Sequence, residues 1–204
     1  SVNRNRQGQY SDWVELYNQG ITDVDLGGCY LTDSEGDLTK WQFPENTVIK
    51  AGDYLLVYCD SWTADQPLKE YHANFSLNKD GEYLGLIEPD GETVIFELAP
   101  SYPKQYSDIS FGSGVYYKTP TPGKKNEQGY EAPVSPVIFS EPAGYKNNSF
   151  TLELSTETEG ASIYYTTDGT IPTSSSILYT TPIKISKITY IRAIAVKDGA
   201  IDSP

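Results

Sequence analysis

The chain has 204 residues, of which 38% are hydrophobic, with 17 glycines and 13 prolines. That is enough apolar material for real cores and enough length for two domains of ordinary size, and it argues against wholesale disorder. The formal charge of −13 argues against nucleic acid and anionic membrane surfaces as partners, because both are bound through clustered Lys and Arg.

The charge is uneven. Residues 1–130 carry 10 basic against 20 acidic side chains, and residues 131–204 carry 5 against 8. Solubility alone accounts for such acidity without a cation site. No run of about 18 apolar residues suggests a membrane-inserted helix. Methionine is absent even from position 1, so the chain reads as a piece of a longer precursor whose targeting segment is not shown.

In chain order the pattern is that of strands and turns. Val14/Leu16, Trp41/Phe43, Leu55/Val57 and Val94/Phe96/Leu98 alternate with the opposite face, the period of two expected of half-buried strands. Thr63 to His72 is the expected place for a long loop or a single helical turn. Asp80-Gly81, Asp90-Gly91, Asp168-Gly169 and Asp198-Gly199 supply turn chemistry, since glycine takes positive φ without steric conflict.

The polar run Lys124 to Gly129, followed by Pro133 and Pro136, reads as a short semi-rigid linker. It divides the chain into domains at 1–130 and 131–204. After the strand-like run Thr189 to Val196 and the Asp198-Gly199 turn, only Ala200 to Pro204 remain. Either they form a short closing strand, or the second domain is truncated and leaves an edge open to strand pairing with another chain. The fold class is all-β, two tandem sandwiches rather than βαβ units.

Cys29 shares a face with Leu31, and Cys59 with Leu55 and Val57, so both sulfurs point toward one core. A disulfide between Cys29 and Cys59 in an oxidising compartment and two buried thiols are both compatible with that placement.

Asp12-Trp13-Val14-Glu15-Leu16-Tyr17-Asn18 resembles the opening motif of the lamin tail domain. Leu26-Gly27-Gly28, Tyr30-Leu31-Thr32-Asp33, Lys40 to Pro44, Ala51 to Leu55, His72 to Phe75, Gly81 to Leu84 and Thr119 to Gly123 follow in that family's order, so the resemblance covers roughly residues 10–126. It implies an immunoglobulin-like β-sandwich, with Trp13 and Trp41 in its core. Two features depart from the family: only Ser1 to Tyr10 precede the motif, and Cys29 stands where an aromatic is common.

Gly160 to Thr173, with Tyr179 to Ile183 and Ile191 to Val196, is similar to the C-terminal domain of chitobiase and β-hexosaminidase, over roughly residues 137–202. In those enzymes the module is an accessory domain, so no catalytic residue carries over. Bacterial proteins joining the two modules look like secreted or envelope-associated multidomain proteins, some with a spore-coat-type kinase domain. An extracellular or cell-envelope location is what this resemblance implies.

Reactive chemistry is sparse. His72 is the single histidine, so a His-rich zinc site is unavailable to the chain and any Ser-His-Asp triad must use this residue; its place in a lamin-tail motif reads as structural. Asp33 to Asp37 and Asn78 to Glu82 offer oxygens without the spacing of a dedicated calcium loop, and hairpin turns explain them better. Trp62, Tyr116 and Tyr117 are the expected exposed aromatics, able to stack on a sugar or anchor a protein. The resulting expectation is a noncatalytic extracellular structural or adhesion segment with no cofactor and no metal, its partner an unidentified protein or glycan. A carbohydrate-binding accessory module is the alternative.

Overall fold

The computed structural model describes residues 5, 8, 10–62 and 70–204. Most of the expected loop or helical turn from Thr63 to His72 therefore lies outside the described residues. The chain forms two compact units, one of residues 1–111 and 119–127 and the other of 112–118 and 128–204.

The first unit contains β1 (Asp12–Tyr17), β2 (Val24–Asp25), β3 (Tyr30–Thr32), β4 (Trp41–Gln42), β5 (Val48–Ile49), β6 (Tyr54–Cys59), β7 (Tyr71–Ala73), β8 (Leu84–Ile87) and β9 (Val94–Leu98). One sheet has the order β1-β6-β7, the other β4-β3-β8-β9, and β2 and β5 form a separate ladder. Side chains from both main sheets share one buried cluster that includes Leu31, Trp41, Phe43, Leu55, Val57, Cys59, Ala73 and Leu86. This is the two-layer arrangement expected of a sandwich.

The period of two makes β6 the organiser of this core. Leu16 pairs with Leu55 and Val14 with Val57 across β1 and β6, and all four contribute to the core. Trp13, one step out of phase, pairs with Tyr58 on the opposite face. It is half-buried there, so its expected place in the core is corrected. Trp41 is in the core and meets Phe43 edge-on at 4.6 Å between ring centroids.

Two local devices hold the turns. Asn18 ends β1 as a buried polar residue whose Nδ2 donates to Thr22 O at 2.8 Å and to Ile49 O at 3.0 Å, while its Oδ1 accepts from Gly20 N. Gly81 sits at φ +98 where a Cβ would come within 2.2 Å of Tyr102 O, so no other residue fits without moving the backbone.

Past β10 (Ser110–Gly112), the second unit contains β11 (Val115–Tyr117), β12 (Ile138–Phe139), β13 (Phe150–Leu152), β14 (Leu154–Ser155), β15 (Ser162–Thr166), β16 (Ile177–Leu178), β17 (Ile183–Ile185) and β18 (Arg192–Val196). Strand order is β16-β15-β18 in its largest sheet, with β12-β14 and β13-β17 as two-stranded ladders. Val134, Leu152, Leu154, Ile163 and Ala195 are its buried core.

The stretch expected to be a linker is partly built into this unit. Val134 is 1% exposed and belongs to its core; Glu131 N donates to Gly199 O and Val134 N to Ile201 O. The residues after Asp198-Gly199 pair with 131–134, Glu131 bridging Ala200 in parallel, and Ile201 and Ser203 are buried. Backbone pairing that polar composition alone did not reveal holds them there. All three tryptophans, Trp13, Trp41 and Trp62, lie in the first unit, so indole emission reports on it. Leu31, 1% exposed at the meeting of both sheets, is expected on truncation to alanine to lose about 2–5 kcal/mol. Urea unfolding followed by tryptophan emission checks this, and an unmoved midpoint would contradict the packing described.

Candidate functional site

The polar chemistry of the first unit gathers on the outer face of β1-β6-β7. Parallel pairing of β7 with β6 sets Tyr58 opposite His72, with Tyr71 and Ala73 on the core side. His72 therefore points away from the core, yet it is 0% exposed. Its ring stacks on Tyr58 at 5.4 Å and meets Trp62 at 5.3 Å between centroids.

Both ring nitrogens face carboxylates. Nδ1 lies 2.9 Å from Asp60 Oδ2 and Nε2 lies 3.5 Å from Glu70 Oε2. A carboxylate only accepts, so the Nδ1 hydrogen is assigned by its partner. Ser11 Oγ and Asn5 Nδ2 each donate to the same Asp60 oxygen at 3.4 Å. The network thus links the N-terminal segment, the end of β6 and β7.

The order of contacts decides what this cluster can do. A nucleophilic triad needs the hydroxyl on the imidazole, with the carboxylate behind the ring. Here Ser11 Oγ donates to Asp60 Oδ2, the same oxygen that His72 Nδ1 faces, and the imidazole is enclosed. The three residue types are present, but the hydroxyl is bonded to the carboxylate.

Of the aromatics expected at the surface, none stands free. Trp62 is half-buried against His72, its backbone N–H donating to Ala73 O. Tyr116 and Tyr117 are 6% and 8% exposed, which corrects their expected exposure. A two-way backbone bridge between Tyr116 and Tyr130 holds β11 in place, and adjacent residues on opposite faces are both covered. The pairing with Tyr130 was not visible in the sequence pattern.

Both cysteines are buried, and no disulfide joins them in this structure. Burial raises the pKa of both. For Cys59 the acidic charges of Asp12, Asp60, Asp33 and Glu82 add to this, and for Cys29 those of Glu88 and Asp25. The acidic turns are occupied internally. Asp37 Oδ1 accepts from Thr39, Asn78 Oδ1 accepts from Asp80 N, and Glu82 Oε1 accepts from Asn78 N and the Tyr102 hydroxyl. Among the described residues no group of three His, Cys, Asp or Glu side chains is placed to hold a metal ion.

The large apolar groups that do meet solvent are elsewhere. Val94, Ile95 and Phe96 on β9 are 41%, 45% and 57% exposed, overturning the half-buried reading of Val94/Phe96/Leu98. They lie on the edge strand, where β8 takes the covered position. In the second unit Tyr190 is 69% exposed and bridges Asp168. Beside it a shallow recess of ≈ 160 Å³ is lined by Tyr165, Thr166, Thr167, Asp168, Ser176 and Ile177. It is smaller than the pockets that enclose drug-sized molecules, and rich in hydroxyls. Asp168 is held below the usual carboxylate range by hydrogen bonds from the Thr170 hydroxyl and backbone.

Residues 1–98 match the family model of the Lamin Tail Domain, and residues 141–204 match that of the Chitobiase/beta-hexosaminidase C-terminal domain. The order is the one that the motifs implied, and the chain is all-β, two tandem immunoglobulin-like sandwiches. Both modules are noncatalytic. No curated protein and no solved structure gives a significant match.

The buried thiols generate a test that separates them from a bridge. The unreduced protein is expected to release two equivalents of thiol to Ellman's reagent in denaturant and to react slowly when native, because burial disfavours both access and the thiolate. Absence of reactive thiol until a reductant is added would restore the disulfide.

Proposed function

We propose that this chain is a noncatalytic structural or adhesion segment of a larger secreted or envelope-associated bacterial protein, acting through its surfaces. The observation that carries the reading is the state of the single imidazole. His72 is enclosed against Tyr58 and Trp62, faces two carboxylates, and shares Asp60 Oδ2 with Ser11, whose hydroxyl is bonded to that carboxylate. The residues best suited to general acid or base work are committed to holding three segments of one sandwich together. Two modules of accessory type support the same view.

The exposed Tyr190 and the adjoining hydroxyl-lined recess favour a second reading, carbohydrate binding by the second unit. Aromatic rings stack on the apolar faces of sugars, and threonine, serine and aspartate side chains satisfy their hydroxyls.

Two measurements divide these readings. Ester, glycosidic and phosphoryl substrates are expected to show no turnover, while His72→Ala lowers stability by about 2–4 kcal/mol through the lost ring and the stranded Asp60 carboxylate. Turnover in the natural chain that disappears in His72→Ala would overturn the noncatalytic reading. On a glycan array the structural reading expects no binder; a binder whose signal falls at least tenfold in Tyr190→Ala would transfer the function to the recess.

A further inference from the structure

The edge of the four-stranded sheet has properties that its neighbours lack. β9 is the terminal strand in the order β4-β3-β8-β9, paired to β8 alone among the described residues. Leu84 pairs with Leu98 and Leu86 with Phe96, but the register then shifts so that Ile87 meets Val94 and Ile95 is left opposite no residue. Such a bulge leaves Ile95 outside the ladder next to Phe96, and both side chains meet solvent.

The outer face of the same strand is fixed. The Tyr83 ring lies over Gly85, where a Cβ would come within 2.6 Å of its hydroxyl oxygen. That hydroxyl donates to Glu97 Oε2 at 3.0 Å. Glu97 is the cross-strand partner of Gly85, so a buried aromatic clamps β9 to β8 through its carboxylate. The clamp holds the edge extended and in place without covering it.

Charge selects what can dock there. From Asp80 to Pro103 the sequence has six acidic side chains, Asp80, Glu82, Glu88, Asp90, Glu92 and Glu97, and no Lys or Arg. Glu88, Asp90, Glu92 and Glu97 belong to the β8–β9 hairpin and are exposed. A second copy would bring an equal acidic set against this one, so self-pairing is opposed. A segment with Lys or Arg alternating with apolar residues meets both features together.

We propose that β9 is a docking edge for an extended, basic and apolar polypeptide segment, which adds as a strand beside Val94 to Leu98. Main-chain hydrogen bonds supply the attachment, Ile95 and Phe96 the apolar anchor, and the acidic hairpin the preference for a basic partner. This deepens the reading of the chain as an interaction segment, naming the surface and partner chemistry. Failure here leaves the noncatalytic reading intact, because that reading is decided by the turnover assays.

The full chain is titrated with a capped decapeptide alternating lysine and valine, with its glutamate/valine counterpart, and with two lysine/valine peptides N-methylated along one edge or the other. Expected are amide shifts and hydrogen-exchange protection centred on residues 94–98 for the lysine/valine peptide and no binding of the acidic one. At least one N-methylated peptide is expected to fail, because strand addition uses a peptide edge whereas simple charge attraction does not. Phe96→Ser is expected to weaken binding roughly tenfold and Glu92→Lys several-fold, with tryptophan-reported unfolding showing that both variants remain folded. Equal binding of both N-methylated peptides, shifts centred away from β9, no binding at all, or concentration-dependent self-association lost in Phe96→Ser would each overturn the proposal.

Discussion

The register of β6 between its two neighbours is the constraint on which the first unit rests. Tyr54 to Cys59 pair antiparallel with β1 on one side and, over Val57 to Cys59, in parallel with β7 on the other. Because side chains alternate, this single strand sends Leu55, Val57 and Cys59 into the core and Tyr58 outward onto His72. A slip of one residue would bring the outer residues inward and expose the core set. The hydrophobic core and the buried polar network are therefore two faces of one pairing.

That pairing explains why the enclosed histidine is tolerated. A buried ring with polar nitrogens is costly unless its hydrogen bonds are met; Asp60, which follows directly on β6, meets Nδ1, and Glu70, which directly precedes β7, lies 3.5 Å from Nε2. The strands that position the imidazole also deliver the carboxylates that face it. Ser11 and Asn5 then join the same Asp60 oxygen, so the segment before β1 is tied to the sheet through a side chain as well as through the strand itself.

Much of the architecture was legible because it depends on local alternation. Leu55, Val57 and Cys59 share a face in sequence and share a core in space, and the four Asp-Gly pairs all place glycine at positive φ. The candidate site was less legible because it depends on pairing between distant segments. Nothing near Tyr116-Tyr117 announces the bridge to Tyr130 that buries them, and nothing in Val94-Ile95-Phe96 distinguishes an edge strand from a central one. Position within a sheet, not local hydrophobicity, decides the exposure of such runs. His72 shows the same limit: its family motif indicated a structural role, but the parallel placement of β7 was needed to reveal Asp60 and Glu70 as its partners.

The acidic charge acquires a structural meaning from the same consideration. Solubility alone would be served by acids placed anywhere on the surface, yet the run from Asp80 to Pro103 contains no positive side chain and includes the most exposed apolar strand of the first unit. Glu97 is tied to Tyr83, whose phenol is pushed up to about 12 by burial and then by the hydrogen bond and charge of that carboxylate; deprotonation of the phenol would place two negative charges together, so across the physiological range the pair keeps its donor and acceptor. Asp90 is likewise held as a carboxylate by the hydroxyl and backbone of Thr93 and the backbone of Glu92. These charges are fixed parts of the hairpin. Acids fixed beside an apolar edge oppose its pairing with an identical edge while leaving it accessible to a strand of opposite charge, and this joins the solubility of the chain to its selectivity.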